Sequence, residues 1–251
     1  MVERAVRTHF RPPPIKRRVA RARRSGWIRP SAYAGLGLLA VGILAWGVAY
    51  SVRAYHDRIA LSGTISDSAP VTLFIAGETL AIPANMIRFP NARQGGAVDG
   101  VELLLHWPGL EGYSDDHADA FRDGSALAPL VYVTIVPRDN PLDADGRLAA
   151  LYERFFIGEP IEGPTGLIGR QMKDDSGYRG EEIYYAPKGP VRFTARCIAQ
   201  ATAEVPATCI RDINFGAGLT MLYRFNRFYL GDWRSMDEAL KALAAEILRS
   251  S

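Results

Sequence analysis

The sequence predicts an α+β domain built on mainly antiparallel sheet, with a C-terminal amphipathic helix and a single transmembrane helix ahead of it. Three observations carry this expectation. A 23-residue run near the amino end has no charge, a series of short runs rich in branched and aromatic residues shows no βαβ alternation, and two helical patterns stand apart from one another.

The chain opens on a basic arm. Residues 1–29 hold ten Lys or Arg against Glu3 alone, whereas the other 222 residues hold 20 basic and 26 acidic side chains. The net charge of +3 therefore averages a cationic arm and a mildly acidic body. That acidic body excludes a general nucleic-acid binder, and no nucleic acid is expected as a partner. "RPPPIKRR" within the arm is poor in apolar residues and repels itself, which predicts a disordered segment.

Residues 30–53 come next, containing "PSAYAGLGLLAVGILAWGVAYSV". About 20 residues at helical rise cross a hydrocarbon core about 30 Å thick. The run is longer than the apolar region of a cleaved signal peptide and lacks the polar face of a soluble core helix, so it reads as a signal-anchor. Tyr33, Trp46, Tyr50 and Tyr55 suit the interfaces of a lipid bilayer. Positive charge stays on the cytoplasmic side, which predicts a cytoplasmic amino terminus in the bacterial inner (plasma) membrane and a periplasmic domain beyond it. Gly35, Gly42, Ala45 and Ala49 fall near one face of the span and suggest a homodimer through it.

Residues 54–66 read as a stalk and residues 67–251 as the folded body. "APVTLFIAGETLAIPANMI" gives two short strands about "AGE"; "GVELLLHWPGL" and "APLVYVTIVPR" give two more. "PLDADGRLAALYERFFIG" has the apolar spacing of a helix of three or four turns, and "GEPIEGPTGLIG" reads as a loop. Four further β runs, "GEEIYYAP", "VRFTARCIA", "ATCIRDINF" and "LTMLYRFNRFYL", resemble an antiparallel meander. In "SMDEALKALAAEILRSS", Ser235 and Glu238 match a capping box, and Met236, Leu240, Leu243 and Ile247 form a stripe that should cover a sheet face.

Cys197 and Cys209 are the only cysteines, and both lie in the part expected outside the cytoplasm. Their runs alternate as strands on either side of "QATAEVP", which predicts a cross-strand disulfide in an oxidising compartment. The spacing is wider than the Cys-x-x-Cys of a redox pair.

Chemistry is sparse. The cluster Asp115, Asp116, His117, Asp119 and Asp123 matches no strong metal template, and it reads better as a solvated loop leading into a short helix. His106 could act as a general base if a carboxylate came near in space. No G-x-S-x-G elbow, Walker motif or Rossmann fingerprint is present, and no metal or cofactor is expected. "YRFNRFYLGDW" interleaves Arg224 and Arg227 with Tyr223, Phe225, Phe228, Tyr229 and Trp233. This is the pattern of a half-buried strand with arginines outward; wherever its aromatics are exposed, it is a contact surface for a protein. The expected function is protein–protein contact by the periplasmic domain, as an accessory, scaffold or inhibitor in an envelope system. The alternative is a membrane-anchored periplasmic hydrolase or metal-binding enzyme that uses the Asp115–Asp119 cluster or His106.

Overall fold

In two of the strands every second residue is buried. Val101, Leu103 and Leu105 alternate with half-buried Glu102, Leu104 and His106 in one, and Leu219, Met221, Tyr223 and Phe225 alternate with outward Thr220, Leu222 and Arg224 in another. A two-residue period of this kind forces one face of a sheet inward. The computed structural model describes Ile43, Trp46, Gly47 and residues 63–249, apart from 126, 188, 201 and 203–205. The chain divides into units 1–52 and 53–251, and both sheets belong to the second. Among the described residues no helix is long and apolar enough to cross a membrane. The arm 1–29, nearly all of the expected span 30–53, and residues 54–62 of the stalk lie outside them.

Strands β1 (Pro70–Ile75) and β2 (Glu78–Pro83) form an antiparallel hairpin whose two loop residues, Ala76 and Gly77, both have positive φ. This turn matches the twist of the paired strands. β3 (Gly96–Ala97) joins β1 in parallel. The large sheet is built from β4 (Val101–His106), β5 (Leu130–Pro137), β6 (Phe156–Glu162), β7 (Ile168–Met172), β8 (Glu181–Tyr185), β9 (Thr194–Ile198), β10 (Thr208–Phe215) and β11 (Leu219–Asn226). Its order is β4-β5-β11-β10-β9-β8-β7-β6, and every pairing is antiparallel. A final β12 (Leu248–Arg249) returns to β2 and closes the smaller sheet as β12-β2-β1-β3. Among the described residues of this second unit the α-helices are α1 (Ala118–Arg122), α2 (Ala144–Arg147) and α3 (Trp233–Ile247).

The core lies between the two sheets and α3. Leu73, Ile75, Leu80 and Ile82 of the hairpin pack with Leu103, Val133, Met221 and Tyr223 of the large sheet and with Met236, Leu240 and Ile247 of α3. Each such side chain contributes roughly 1.5–3 kcal/mol through the area it removes from water. The expected mainly antiparallel sheet with a C-terminal helix is the observed fold.

Three local expectations differ. β6 and the first residues of β7 occupy what reads as a loop, because β6 is an exposed edge strand whose Pro160 sits within a register shift between Ile157 and Ile161. Proline is tolerated at such edges and bulges. The helix expected over 141–158 is regular only at Ala144–Arg147 and then passes through a wide turn at Leu148–Tyr152 and a tight one at Glu153–Phe155. The capping box is also not formed. α3 starts at Trp233, two residues before Ser235, whose hydroxyl donates to the Asp232 carbonyl (3.0 Å). Asp232 precedes the helix, but its carboxylate accepts from Trp107 Nε1 (3.2 Å) instead of capping.

Cys197 and Cys209 stand directly opposite in the β9–β10 register, with Cα atoms 4.0 Å apart, and form a disulfide that is wholly buried. β9 and β10 pair through only two residues on each strand. Beyond them β10 is free of β9, and α2 docks there. Asp145 takes Arg211 on one side of β10, and Arg147 takes Asp212 on the other.

Candidate functional site

The end of β11 and the turn after it make a rigid mount for one exposed aromatic ring. β11 lies between β5 and β10, so its inward residues Tyr223 and Phe225 are core, as is Trp233 at the start of α3. These three aromatics therefore offer no surface to a partner. Arg224 points outward over the ring of Tyr132, at 4.9 Å from its centroid. Arg227 is tied down. Its guanidinium donates to the carbonyls of Ile198 (3.1 Å) and Ala199 (2.9 Å) and pairs with the buried carboxylate of Glu182 (2.6 Å).

Phe228 follows directly and is 75% exposed. Its backbone N–H donates to Asn226 Oδ1 (2.7 Å), and Leu230, two residues on, is buried. The short helix Arg227–Asp232 is thus anchored on both sides of the ring. Tyr229 packs edge-on against Phe228 with centroids 5.3 Å apart, and its hydroxyl donates to the carbonyl of Leu127, which is itself 61% exposed. Phe228, Tyr229 and Leu127 form the aromatic and aliphatic knob of this end of the domain.

The acidic cluster does not converge. Asp115, Asp116, Asp119 and Asp123 are exposed; Asp119 pairs with Arg122, and Asp123 accepts from the backbone and hydroxyl of Ser125. The chemistry instead gathers at His106. The chain reverses after β4 through residues 107–110, which include a cis Trp107–Pro108 peptide, and brings Glu111 back into a backbone bridge with His106 (N···O 2.8 Å). Gly112 lets this return strand lie against the backbone of Asn85 and Met86, where a Cβ would sit 2.6 Å from atoms of both. The short turn Asp115–His117 then stacks His117 on His106, centroids 4.1 Å apart and planes 18° from parallel. His106 Nδ1 lies 3.8 Å from a Glu111 oxygen. Burial holds the imidazole of His106 below its ordinary pKa, with His117 adding to that and Glu111 opposing it. Residue spacing does not announce Glu111 or His117 as partners of His106, because the turn that unites them is a tertiary feature.

A concavity of about 410 Å³ lies where α2 meets the outer face of the large sheet, lined by Ile210, Leu222, Leu151 and Tyr152 among others. Its principal charges are already engaged. Arg147 holds Asp212 and Tyr152 Oη, and Arg196 pairs with Glu181.

No family model matches the chain, and no curated protein matches it. Two solved structures resemble it. One is Smlt3025, an immunity protein of the Stenotrophomonas maltophilia type IV secretion system, at 16% identity and a TM-score of 0.49, covering 73% of this chain and 94% of that one. The other is the Neisseria meningitidis iron-regulated outer membrane lipoprotein FrpD, at 12% identity and a TM-score of 0.45, covering 74% of this chain and 96% of that one. Likenesses of this grade say nothing about activity.

Proposed function

We propose that the chain is a single-pass bacterial inner-membrane protein whose residues 67–251 form a periplasmic domain acting by contact with another envelope protein, and that Phe228 is the centre of the contact surface. The observation that carries this reading is the combination of a ring 75% exposed with a mount that is locked by Arg227, Asn226 and Leu230. An exposed aromatic side chain has few rotamers to lose, and a rigid mount leaves little further entropy to lose on binding. Burying the ring in an apolar socket would contribute roughly 1.5–3 kcal/mol. The buried disulfide supports export, since such a bond persists in an oxidising compartment. Residues 30–53 supply the anchor, with the lipid bilayer as their surroundings, and their small-residue face supports a homodimer as a further association.

The test is a photo-crosslinking amino acid placed at position 228, at 127, and at the exposed control position 179 in the turn between β7 and β8, each in the full chain in intact cells. The expected result is one discrete protein adduct from positions 228 and 127 and none from 179. In binding assays with that partner, Phe228→Ala should weaken association about tenfold to a hundredfold while changing folding stability by less than about 0.5 kcal/mol. Equal adducts at all three positions, or lipid adducts alone, would remove the assignment.

A further inference from the structure

We propose that His106, Glu111 and His117 form a binding site for one divalent first-row transition ion of the zinc type. One ligand atom from each residue lies within 4.8 Å of the other two. Two imidazoles and one carboxylate are a donor set that zinc accepts, leaving a fourth position for water or for a group from a partner. This inference is independent of the contact role assigned to Phe228.

Two further observations point to a ligand. His106 Nδ1 is buried yet has no hydrogen-bond partner, an uncommon state for a polar atom shielded from water. The Glu111 carboxylate faces it at 3.8 Å, beyond hydrogen-bonding distance, with over half of the Glu111 side chain open to solvent. A cation between the two would satisfy both. On the other arm, Ser114 Oγ lies 3.2 Å from His117 Nδ1. With His117 Nδ1 donating to that hydroxyl, Nε2 carries the lone pair and serves as the ligand atom.

The stacked rings set a geometric requirement. In planes 18° from parallel, the in-plane lone pairs of His106 and His117 run side by side rather than meeting. Chelation therefore requires one ring to turn. His117 is the one able to do so, since it belongs to a three-residue turn with no buried member, whereas His106 is held at the end of β4. Metal binding should accordingly unstack the pair. The Asp115 and Asp116 carboxylates are exposed and take no part.

The experiment uses the full chain in detergent, freed of any affinity tag, titrated with Zn²⁺ against a chromophoric chelator and separately with Co²⁺ for its visible ligand-field bands. The expected result is one equivalent of ion bound and the intense bands of a four-coordinate Co²⁺ site. Loss of a supporting residue costs about tenfold to a hundredfold in affinity, and loss of a direct ligand should cost at least as much. His117→Ala and Glu111→Gln are therefore each expected to weaken Zn²⁺ binding by at least about tenfold and to abolish or reshape the Co²⁺ bands, with Asp115→Asn plus Asp116→Asn within about twofold of the parent. Both side chains are exposed or half-buried, so the variants should keep the parent's circular dichroism, which verifies that they fold. Absence of stoichiometric binding, or equal binding by the parent and His117→Ala, would overturn the site and leave the trio as a carboxylate near two stacked imidazoles.

Discussion

Replacing Arg211 by alanine is expected to lower the unfolding free energy by roughly 3–5 kcal/mol, the usual cost of removing one partner from a buried charge network. Arg211 is 1% exposed, and its guanidinium is fully committed. Nε donates to Asp237 (2.9 Å), Nη1 to Asp145 (2.6 Å) and to the Thr194 carbonyl (3.1 Å), and Nη2 to Asp145 (2.9 Å). Asp237, wholly buried on α3, also accepts from Tyr223 Oη (2.8 Å) and pairs with Lys241 (2.7 Å). The group thus ties α3, α2, β9 and β11 together at the place where β9 and β10 separate. Removing the arginine strands two carboxylates with too little positive charge. In a domain of this size the loss should appear as a fall of about 10 °C in melting temperature. A change smaller than about 1 kcal/mol in urea denaturation would show that the network does not hold the split together.

The same group sets an acid limit. Burial acts to raise the Asp237 carboxyl, but Arg211, Lys241 and Tyr223 outweigh it and hold the pKa below its ordinary value of 3.8. A carboxyl depressed in the folded state contributes stability that is complete above the unfolded pKa and is lost as pH falls through the lower folded value. Stability should therefore fall as the pH drops below about 4. Asp237→Asn should flatten that part of the profile at the cost of lower stability at neutral pH, as measured by denaturation at a series of pH values.

Removing the Cys197–Cys209 bridge by double replacement with alanine is expected to cost about 3 kcal/mol, since the bond closes a loop with a sequence separation of 12. Both cysteines are wholly buried, so reductant should leave the bond intact in the folded chain and cleave it only once denaturant exposes it. Rapid thiol labelling under native reducing conditions would contradict this.

Much of the fold is legible because it rests on local alternation. β4, β5 and β11 each alternate buried and outward residues, and the cysteine runs alternate in the phase that puts both sulfurs on the inner face. What sequence reasoning missed depends on distant partners. β6 hides behind Pro160 and its exposed edge position. Asp232 is diverted from capping by Trp107, which is 125 residues away. In "YRFNRFYLGDW" the apparent uniformity of the aromatics conceals opposite fates. β11 is flanked on both sides, so Tyr223 and Phe225 are buried, and only the turn after it releases Phe228. The approach of Glu111 and His117 to His106 depends on the reversal at 107–110 and on the backbone packing that Gly112 permits, neither of which has a residue spacing to announce it.

A Phe228 surface presented outside the cytoplasm on a membrane-anchored chain is open to one direct measurement. Phe228→Cys in the full chain, treated in spheroplasts with a membrane-impermeant maleimide, tests both parts at once. Labelling at that position without lysis is expected, in a protein that stays with the membrane through a high-salt wash. Labelling that requires lysis, or release of the protein into the wash, would contradict the proposed topology and the contact role built on it.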